Sequence, residues 1–405
     1  MQKKHHTLFY IIISGIIVSC SGNHKSAKKA ETEDTTDDIK HVDVYYEPGR
    51  FGGWPANHGL WSWDNEILVG FGRGYYKNLG TERHNIDRER PEEHLFARSL
   101  DGGKTWSIEE PAKDGVMIAR GESLHGIEPA PEKMKPITQL QKPMDFSKPG
   151  FVLKFWMLSS GEGPSIFYYS YDKGKTWEGP YSLKVNKLTS IAARNDYMIE
   201  DHNSCQAYFT AAKSDHREGH VFTARTDDGG LSWQFVSWVG EEPANGFRIM
   251  PSTVKTGEKE LILTSRVRNQ SNRRIETITE KEDKGRYIDS WLSKDYGKTW
   301  KLMGKPVDDL GEGNPPCLIK LADGRLCLTY GYRAEPYGIF AKISNDEGRS
   351  WGEQITIRND GSGRDIGYVR SVQRPDGKVV TIYYFMDKHK PERYIAASIW
   401  NPNNY

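Results

Sequence analysis

The 405-residue sequence is poor in cysteine, in net charge and in long apolar stretches, and each shortage closes off a class of protein. Its four cysteines form no Cys-x-x-Cys pair and no Cys/His metal spacing, so neither a disulfide framework nor a metal centre is expected, and no cofactor is implied. Lysine and arginine number 56 against 55 aspartate and glutamate, a net charge of +1. A chain without a global positive field is a poor nucleic-acid binder, so recognition of an anion must come from local arginine clusters. A single stretch is apolar enough to meet a membrane, which excludes a multispan membrane protein. Aromatic residues, by contrast, are plentiful. Twelve Trp, 21 Tyr and 14 Phe can build a large core and exclude wholesale disorder.

The apolar stretch opens the chain. Lys3 and Lys4 precede an 11-residue run, Leu8 to Val18, that is too short to span a membrane but suits a signal peptide. It ends in Ile17-Val18-Ser19-Cys20, which is similar to a bacterial lipobox. The expectation is that residues 1–19 are removed and that Cys20 carries lipid. The protein would then be exported and held on the outer membrane by that anchor alone, at its periplasmic face or the cell surface. Residues 20–40 are polar and charged and read as a disordered tether. Setting Cys20 aside leaves Cys205, Cys317 and Cys327, an odd number with at least one free thiol.

The rest of the chain is organised by a repeat of the form [ST]-x-D-x-G-x-[ST]-W. It occurs at Ser99–Trp106, Ser170–Trp177, Thr226–Trp233, Ser293–Trp300 and Ser344–Trp351. The composition is that of a hairpin turn. Hydroxyl and carboxylate bond turn amides, Gly accepts positive φ, and Trp clamps the turn to its blade. The copies begin 51 to 71 residues apart, about the length of a four-stranded propeller blade. Residues 41–405 are therefore expected to form an all-β, six-bladed β-propeller. A weaker repeat of strand, tight turn and strand marks the inner two strands of several blades, with turns at Asp64-Asn65, Thr256-Gly257, Asp323-Gly324 and Asp376-Gly377.

In an up-and-down blade, the start of strand one and the end of strand two share a face. The boxes, between strands three and four, lie on the opposite face and are structural. The pocket belongs at the axis of the first face. Strand-one starts would line it with Trp54, Asn57, His58, Arg194, Arg248, Asn314 and Tyr368. Strand-two ends would add Arg73, Arg266, Arg268, Tyr332 and Arg333. Convergent arginines fit a planar carboxylate, so the expected partner is an acidic oligosaccharide or polysaccharide, bound by a monomer.

Five boxes on six blades resemble the bacterial sialidase (neuraminidase, BNR-repeat) superfamily over roughly residues 45–400. The resemblance implies a sialidase-like propeller and assigns candidate roles. Tyr368, nine residues before the turn glycine Gly377, matches the family's tyrosine nucleophile. Asp87, shortly before the first box, matches its acid/base aspartate. Arg248, in Phe247-Arg248-Ile249-Met250-Pro251, and Arg333 match carboxylate-binding arginines. Two family features are displaced. Trp54-Pro55-Ala56-Asn57 lacks an arginine, with Arg50 four residues early, and Glu312 stands slightly out of register for the glutamate that activates the tyrosine.

A tyrosine without a carboxylate base is a weak nucleophile, but beside arginine it suits another reaction. Elimination from a uronic acid needs a neutralised carboxylate, a base for the C5 proton and an acid for the leaving C4 substituent. Sialidase-like propellers that act as polysaccharide lyases use a Tyr/His/Arg set, so the resemblance allows this. His58, His84, His125 and His202 are the candidate histidines, with His58, His125 and His202 placed in the catalytic set beside Tyr368 and Asp87. The segments 72–91 and 128–148 are expected to wall the pocket. Three readings compete: a uronate lyase, or dehydratase if the uronate is terminal; an exo-acting sialidase-like hydrolase; and a non-catalytic glycan-binding lipoprotein.

Overall fold

A computed structural model describes residues 39–81, 83–111, 135–159, 163–269 and 285–405. These residues belong to a unit running from Asp37 to Tyr405. The predicted leader, Cys20 and His125 lie outside the described residues.

The first described strand, β1 (Lys40–Tyr45), is followed by blade one. This blade comprises β2 (Arg50–Gly53), a four-residue helical turn α1 (Pro55–His58), β3 (Leu60–Trp63), β4 (Glu66–Tyr75), β5 (Glu93–Ser99) and β6 (Ser107–Glu109). The long β4 pairs β3 along its first half and β2 along its second. The break between them starts at Trp54, whose φ of 58° turns the chain, and at Pro55, whose fixed φ suits a first helical position. Blade two contains β7 (Val152–Met157), β8 (Ser165–Ser170) and β9 (Glu178–Leu183). Blade three contains β10 (Ile191–Ala192), β11 (Tyr197–Ile199), β12 (Cys205–Ala212), β13 (Glu218–Thr226) and β14 (Gln234–Trp238). Blade four is β15 (Phe247–Lys255), β16 (Leu261–Arg268), β17 (Arg286–Ser293) and β18 (Lys301–Val307). Blade five is β19 (Cys317–Lys320), β20 (Leu326–Tyr332), β21 (Gly338–Ser344) and β22 (Ile355–Arg358). Blade six takes β23 (Gly367–Gln373), β24 (Val379–Phe385) and β25 (Tyr394–Trp400), and β1 adds its outer strand, with Lys40 opposite Ile399. The six antiparallel sheets form a six-bladed, sialidase-like propeller.

Alternation along each strand sends apolar side chains to both faces of a blade, so the core lies in the seams between blades. Phe155 and Phe167 of blade two meet Phe209 and Phe222 of blade three in one such seam, and Val69 and Phe71 of blade one meet Ile382 and Tyr384 of blade six in another. The axis is polar. Asp196 accepts from Thr253 Oγ1 at 2.8 Å and from Thr253 N at 3.2 Å, and an Arg370 amino group donates to Ala56 O at 3.0 Å. Cys205, Cys317 and Cys327 are buried free thiols.

All five boxes sit between the last two described strands of their blades. In the first, Ser99 Oγ donates to Asp101 and accepts from Gly103 N, and Asp101 also accepts from Thr105 N and Oγ1. The Trp does more than the expected clamp on its own blade. Trp177 of blade two stacks on Phe96 of blade one, centroids 5.3 Å apart and planes 8° from parallel. Trp233 meets Phe155 of blade two at 5.6 Å, and Trp300 meets Tyr208 of blade three at 6.2 Å. Each of these boxes therefore fastens its blade to the one before it.

Candidate functional site

The face opposite the boxes holds a cavity of about 430 Å³. One wall is the loop between β4 and β5, bearing Lys77, His84 and Asp87; the other carries Arg333, Arg364 and Asp365. The loop is braced by a bridge between Tyr76 and Ile86 and by the packing of Ile86 on Gly74, where a Cβ would approach within 2.4 Å.

Asp365 is the hub. It is buried, yet its oxygens take four partners. His84 Nδ1 lies 2.6 Å from Oδ1, the Tyr384 hydroxyl donates to Oδ1 at 2.6 Å, Arg393 Nε donates to Oδ2 at 3.1 Å, and Arg333 is 3.8 Å away. Burial opposes its charge, but His84, Arg393 and Arg333 outweigh burial and hold the carboxyl well below the usual carboxylate range. Tyr384 is buried too; desolvation pushes its phenol well above the ordinary value, so it remains a donor. An Arg333 amino group donates to the Tyr384 hydroxyl, and its Nε donates to Ile366 O at 2.9 Å. The partly exposed His84 ring meets Trp54 edge-on at 5.3 Å. A carboxylate behind one imidazole nitrogen orients the ring, as in hydrolase triads.

Tyr368 lies beside this network. Its ring is 5.9 Å from that of Tyr384 and 5.3 Å from the Arg333 guanidinium carbon. Arg266 lies within the electrostatic reach of its phenol. Burial first, and then the like charge of Arg333, pull Arg266 below its ordinary pKa against the Tyr368 contact. Tyr368 takes a left-handed φ of 48°, uncommon for an aromatic residue. Asn314 fixes it there: its Nδ2 donates to Ile366 O at 2.9 Å, and its Oδ1 accepts from Tyr368 N at 2.8 Å. Gly367 is required, because a Cβ would come within 2.3 Å of the Asn314 amide.

The structure thus brings together Tyr368, Arg266, Arg333 and Asn314, with Asn314 bonding the backbone around Tyr368. Of the other predicted residues, His84 and Asp87 line the cavity and Trp54 packs on His84, while the rest go elsewhere. Arg73 is surrounded by Glu93, Glu110 and Glu47. Arg194 is bidentate to Glu218 and donates to Asn57 Oδ1 at 3.0 Å. Arg248 faces the seam of blades three and four, where Nε donates to Asp289 at 2.9 Å and the guanidinium stacks over Trp291. Strand alternation turns it away from Ile249, which packs towards Tyr368. Tyr332 points into the seam of blades four and five, with its hydroxyl on Asp309 at 3.3 Å. Arg268 ends β16 opposite Arg286. His58 is buried between blades one and two, 4.8 Å from His94 and 4.7 Å from Trp156, so it is a core residue. His202 occupies an exposed turn whose Asn203 carbonyl accepts from box residue Gly229, which puts it on the wrong face. Asp87 lines the cavity, but its hydrogen bond from Lys77, at 3.1 Å, lowers its pKa and keeps it ionised, the opposite of a poised acid. Asp365 was missed because a buried carboxylate three residues before Tyr368 has no spacing signature, and His84 was one of four histidines with nothing to rank it first.

A family model described as a BNR repeat-like domain matches residues 126–381, more than half the chain. This chain belongs to the BNR repeat-like family. No curated protein matches the sequence of this BNR repeat-like chain. Among solved structures, a Dyadobacter fermentans protein of unknown function is similar at 20% identity and a TM-score of 0.63, covering 89% of this chain and 97% of that one. An α-L-arabinofuranosidase from Fusarium graminearum is similar at 15% identity and a TM-score of 0.56, covering 88% and 98%. A mutant of Trypanosoma rangeli sialidase displaying trans-sialidase activity gives 12% and 0.54, covering 89% and 58%. At these identities the likeness is one of fold. Among the described residues, no group of three His, Cys, Asp or Glu side chains is placed to hold a metal ion.

Proposed function

We propose that this propeller is a carbohydrate-active enzyme that acts on an acidic sugar by β-elimination from a uronic acid, as a lyase or, on a terminal uronate, a dehydratase. One observation carries the reading. A carboxylate-backed histidine, His84, shares a cavity with Arg333 and Arg364, while the neighbouring Tyr368 ring lies against Arg333 and within the electrostatic reach of Arg266. Arg333 and Arg364 neutralise the sugar carboxylate, which makes the C5 proton removable. His84, held by Asp365, takes that proton through its other nitrogen. The C5–H electrons form the C4–C5 double bond as the C4–O bond breaks, and the Tyr368 hydroxyl gives its proton to the leaving oxygen.

A hydrolase is the second reading. The fold neighbours include an arabinofuranosidase and a sialidase, and Glu312, between Arg286 at 3.7 Å and Arg364 at 3.9 Å, is the carboxylate such a mechanism would recruit. Incubation with uronate-containing oligosaccharides separates the two. Elimination yields the ultraviolet absorbance of a 4,5-unsaturated uronate; release of a free saturated sugar without it supports hydrolysis, and binding without product leaves a glycan-binding lipoprotein. Lipid anchoring through Cys20 belongs to the same proposal and is tested by Cys20→Ser, which should abolish membrane fractionation.

A further inference from the structure

The box face has a concavity of its own, about 1150 Å³, in the seam between blades three and four. Its blade-four wall consists of two turns. The turn joining β15 to β16 bears Lys255 and Lys259, and the fourth box bears Lys294 and Lys298 at positions that the box's own hydrogen bonds leave free to vary. The wall is built rather than loose: Tyr296 N donates to Lys259 O at 2.9 Å, and Gln206 of blade three donates to Tyr296 O at 3.1 Å. The Tyr296 ring, half-buried in this wall, lies 5.2 Å from Lys255 Nζ.

Charge pairing within the groove is uneven. Glu200 is bound by Arg225, which also holds Asp227. Asp201 caps its own turn through Asn203 N and Ser204 N, and Asp295 is spent on Ser293 and Thr299 within the box. Asp201 and Asp295 keep their charge in these bonds, so the four exposed lysines and Arg225 stand against four lining carboxylates, and the positive excess is gathered on the blade-four turns, where the lysines outnumber Glu258 and Asp295.

We propose that this seam is a second glycan site that holds a polyanionic stretch of polysaccharide, with the lysines on its carboxylates or sulfates and Tyr296 under a sugar face. Lysines round an aromatic ring in a concave seam suit a chain of charged rings better than a flat lipid surface. The site sits on the face opposite the cavity, so it binds polymer without touching the reacting atoms.

The test reads binding alone, so it stands apart from the elimination proposal. Full-length protein is titrated by calorimetry with heparin and with polygalacturonate, and the Lys294→Glu/Lys298→Glu double variant is compared with the parent. Both positions are exposed, so the thermal midpoint should not move. Polymer affinity should fall by about tenfold, the scale of losing a few exposed charge contacts, and should weaken with added salt. Tyr296→Ala should also weaken it. Equal polymer affinity in parent and double variant overturns the proposal. So does a parent that binds neither polymer, or one that binds phosphatidylglycerol vesicles through these lysines and no polymer.

Discussion

The two faces of the propeller are built from one repeated blade, yet they use it in opposite ways. On the box face the same contact recurs nearly unchanged: hydroxyl to carboxylate at 2.9, 2.7, 2.8, 2.9 and 2.8 Å in the five boxes. On the cavity face, arginines at the strand ends of their blades diverge. Arg333 joins Tyr384 and Ile366, Arg248 joins Asp289, and Arg73 joins Glu93 and Glu110. What repeats is what each blade needs to hold its neighbour. Chemistry collects where neighbouring loops break the repeat, as the β4–β5 loop does by delivering His84.

The sharpest way to test that division is to strike the cavity face. His84→Ala and Tyr368→Phe should each lower turnover by about 10²- to 10⁴-fold, the range of a lost proton-transfer group; Tyr368→Phe should leave the thermal midpoint unchanged, whereas His84→Ala should also lower it, because buried Asp365 loses a partner. Asp365→Asn should cross the division. It slows turnover and also destabilises the fold by about 3–5 kcal/mol, because Arg393 and Arg333 lose a buried counter-charge. Full activity in Tyr368→Phe would sink the assignment of this face.

Trp177→Ala strikes the other face. It should lower stability by about 3–5 kcal/mol in denaturant titration, as truncation of a packed aromatic does, while activity per folded molecule stays constant. A large drop in the turnover of fully folded protein would show that the faces are coupled.

Acid should weaken the box face gradually. Hydrogen bonds from the Ser350 hydroxyl and amide, and from Ser344, hold Asp346 down to about 2, against an ordinary 3.8. The unfolded chain therefore takes up the proton first as pH falls. The stabilisation is complete above about pH 3.8 and is lost as pH drops through about 2. Thermal midpoints of the parent and Asp346→Asn should converge across that window. The smallest effect belongs to Asp87→Asn. An ionised, Lys77-bound carboxylate is no acid, so turnover should change by less than about tenfold, well short of the loss from a general acid.

Periodicity made the propeller legible. Five boxes located the last two strands of their blades, and the blade geometry placed the pocket on the face that holds it. Tyr368, Arg266 and Arg333 followed from position along a strand. The reading lost accuracy wherever a side chain had a choice of neighbours. Arg248 and Tyr332 stand at the expected strand ends, but alternation turns them into seams, and the helical turn after Trp54 packs His58 between blades one and two. Asp365 and His84 come from segments without a repeat, and only the closed ring brings residues 281 positions apart within hydrogen-bonding distance.

The pairing of β1 with β25 carries a consequence for how the molecule is made. Lys40 pairs with Ile399, so the first described strand finds its partner almost at the end of the chain. During synthesis β1 has no edge to join until the last blade has emerged, and it waits as an unpaired strand while the other blades assemble. Closure is then the strand pairing of greatest sequence separation among the described residues, formed at a high loop-closure cost and slow for that reason. Until it forms, the seam of blades one and six lies open, and that seam holds Phe71 and Tyr384. Because His84 of the blade-one loop reaches Asp365 across that seam, the cavity cannot take its final shape before the ring has locked.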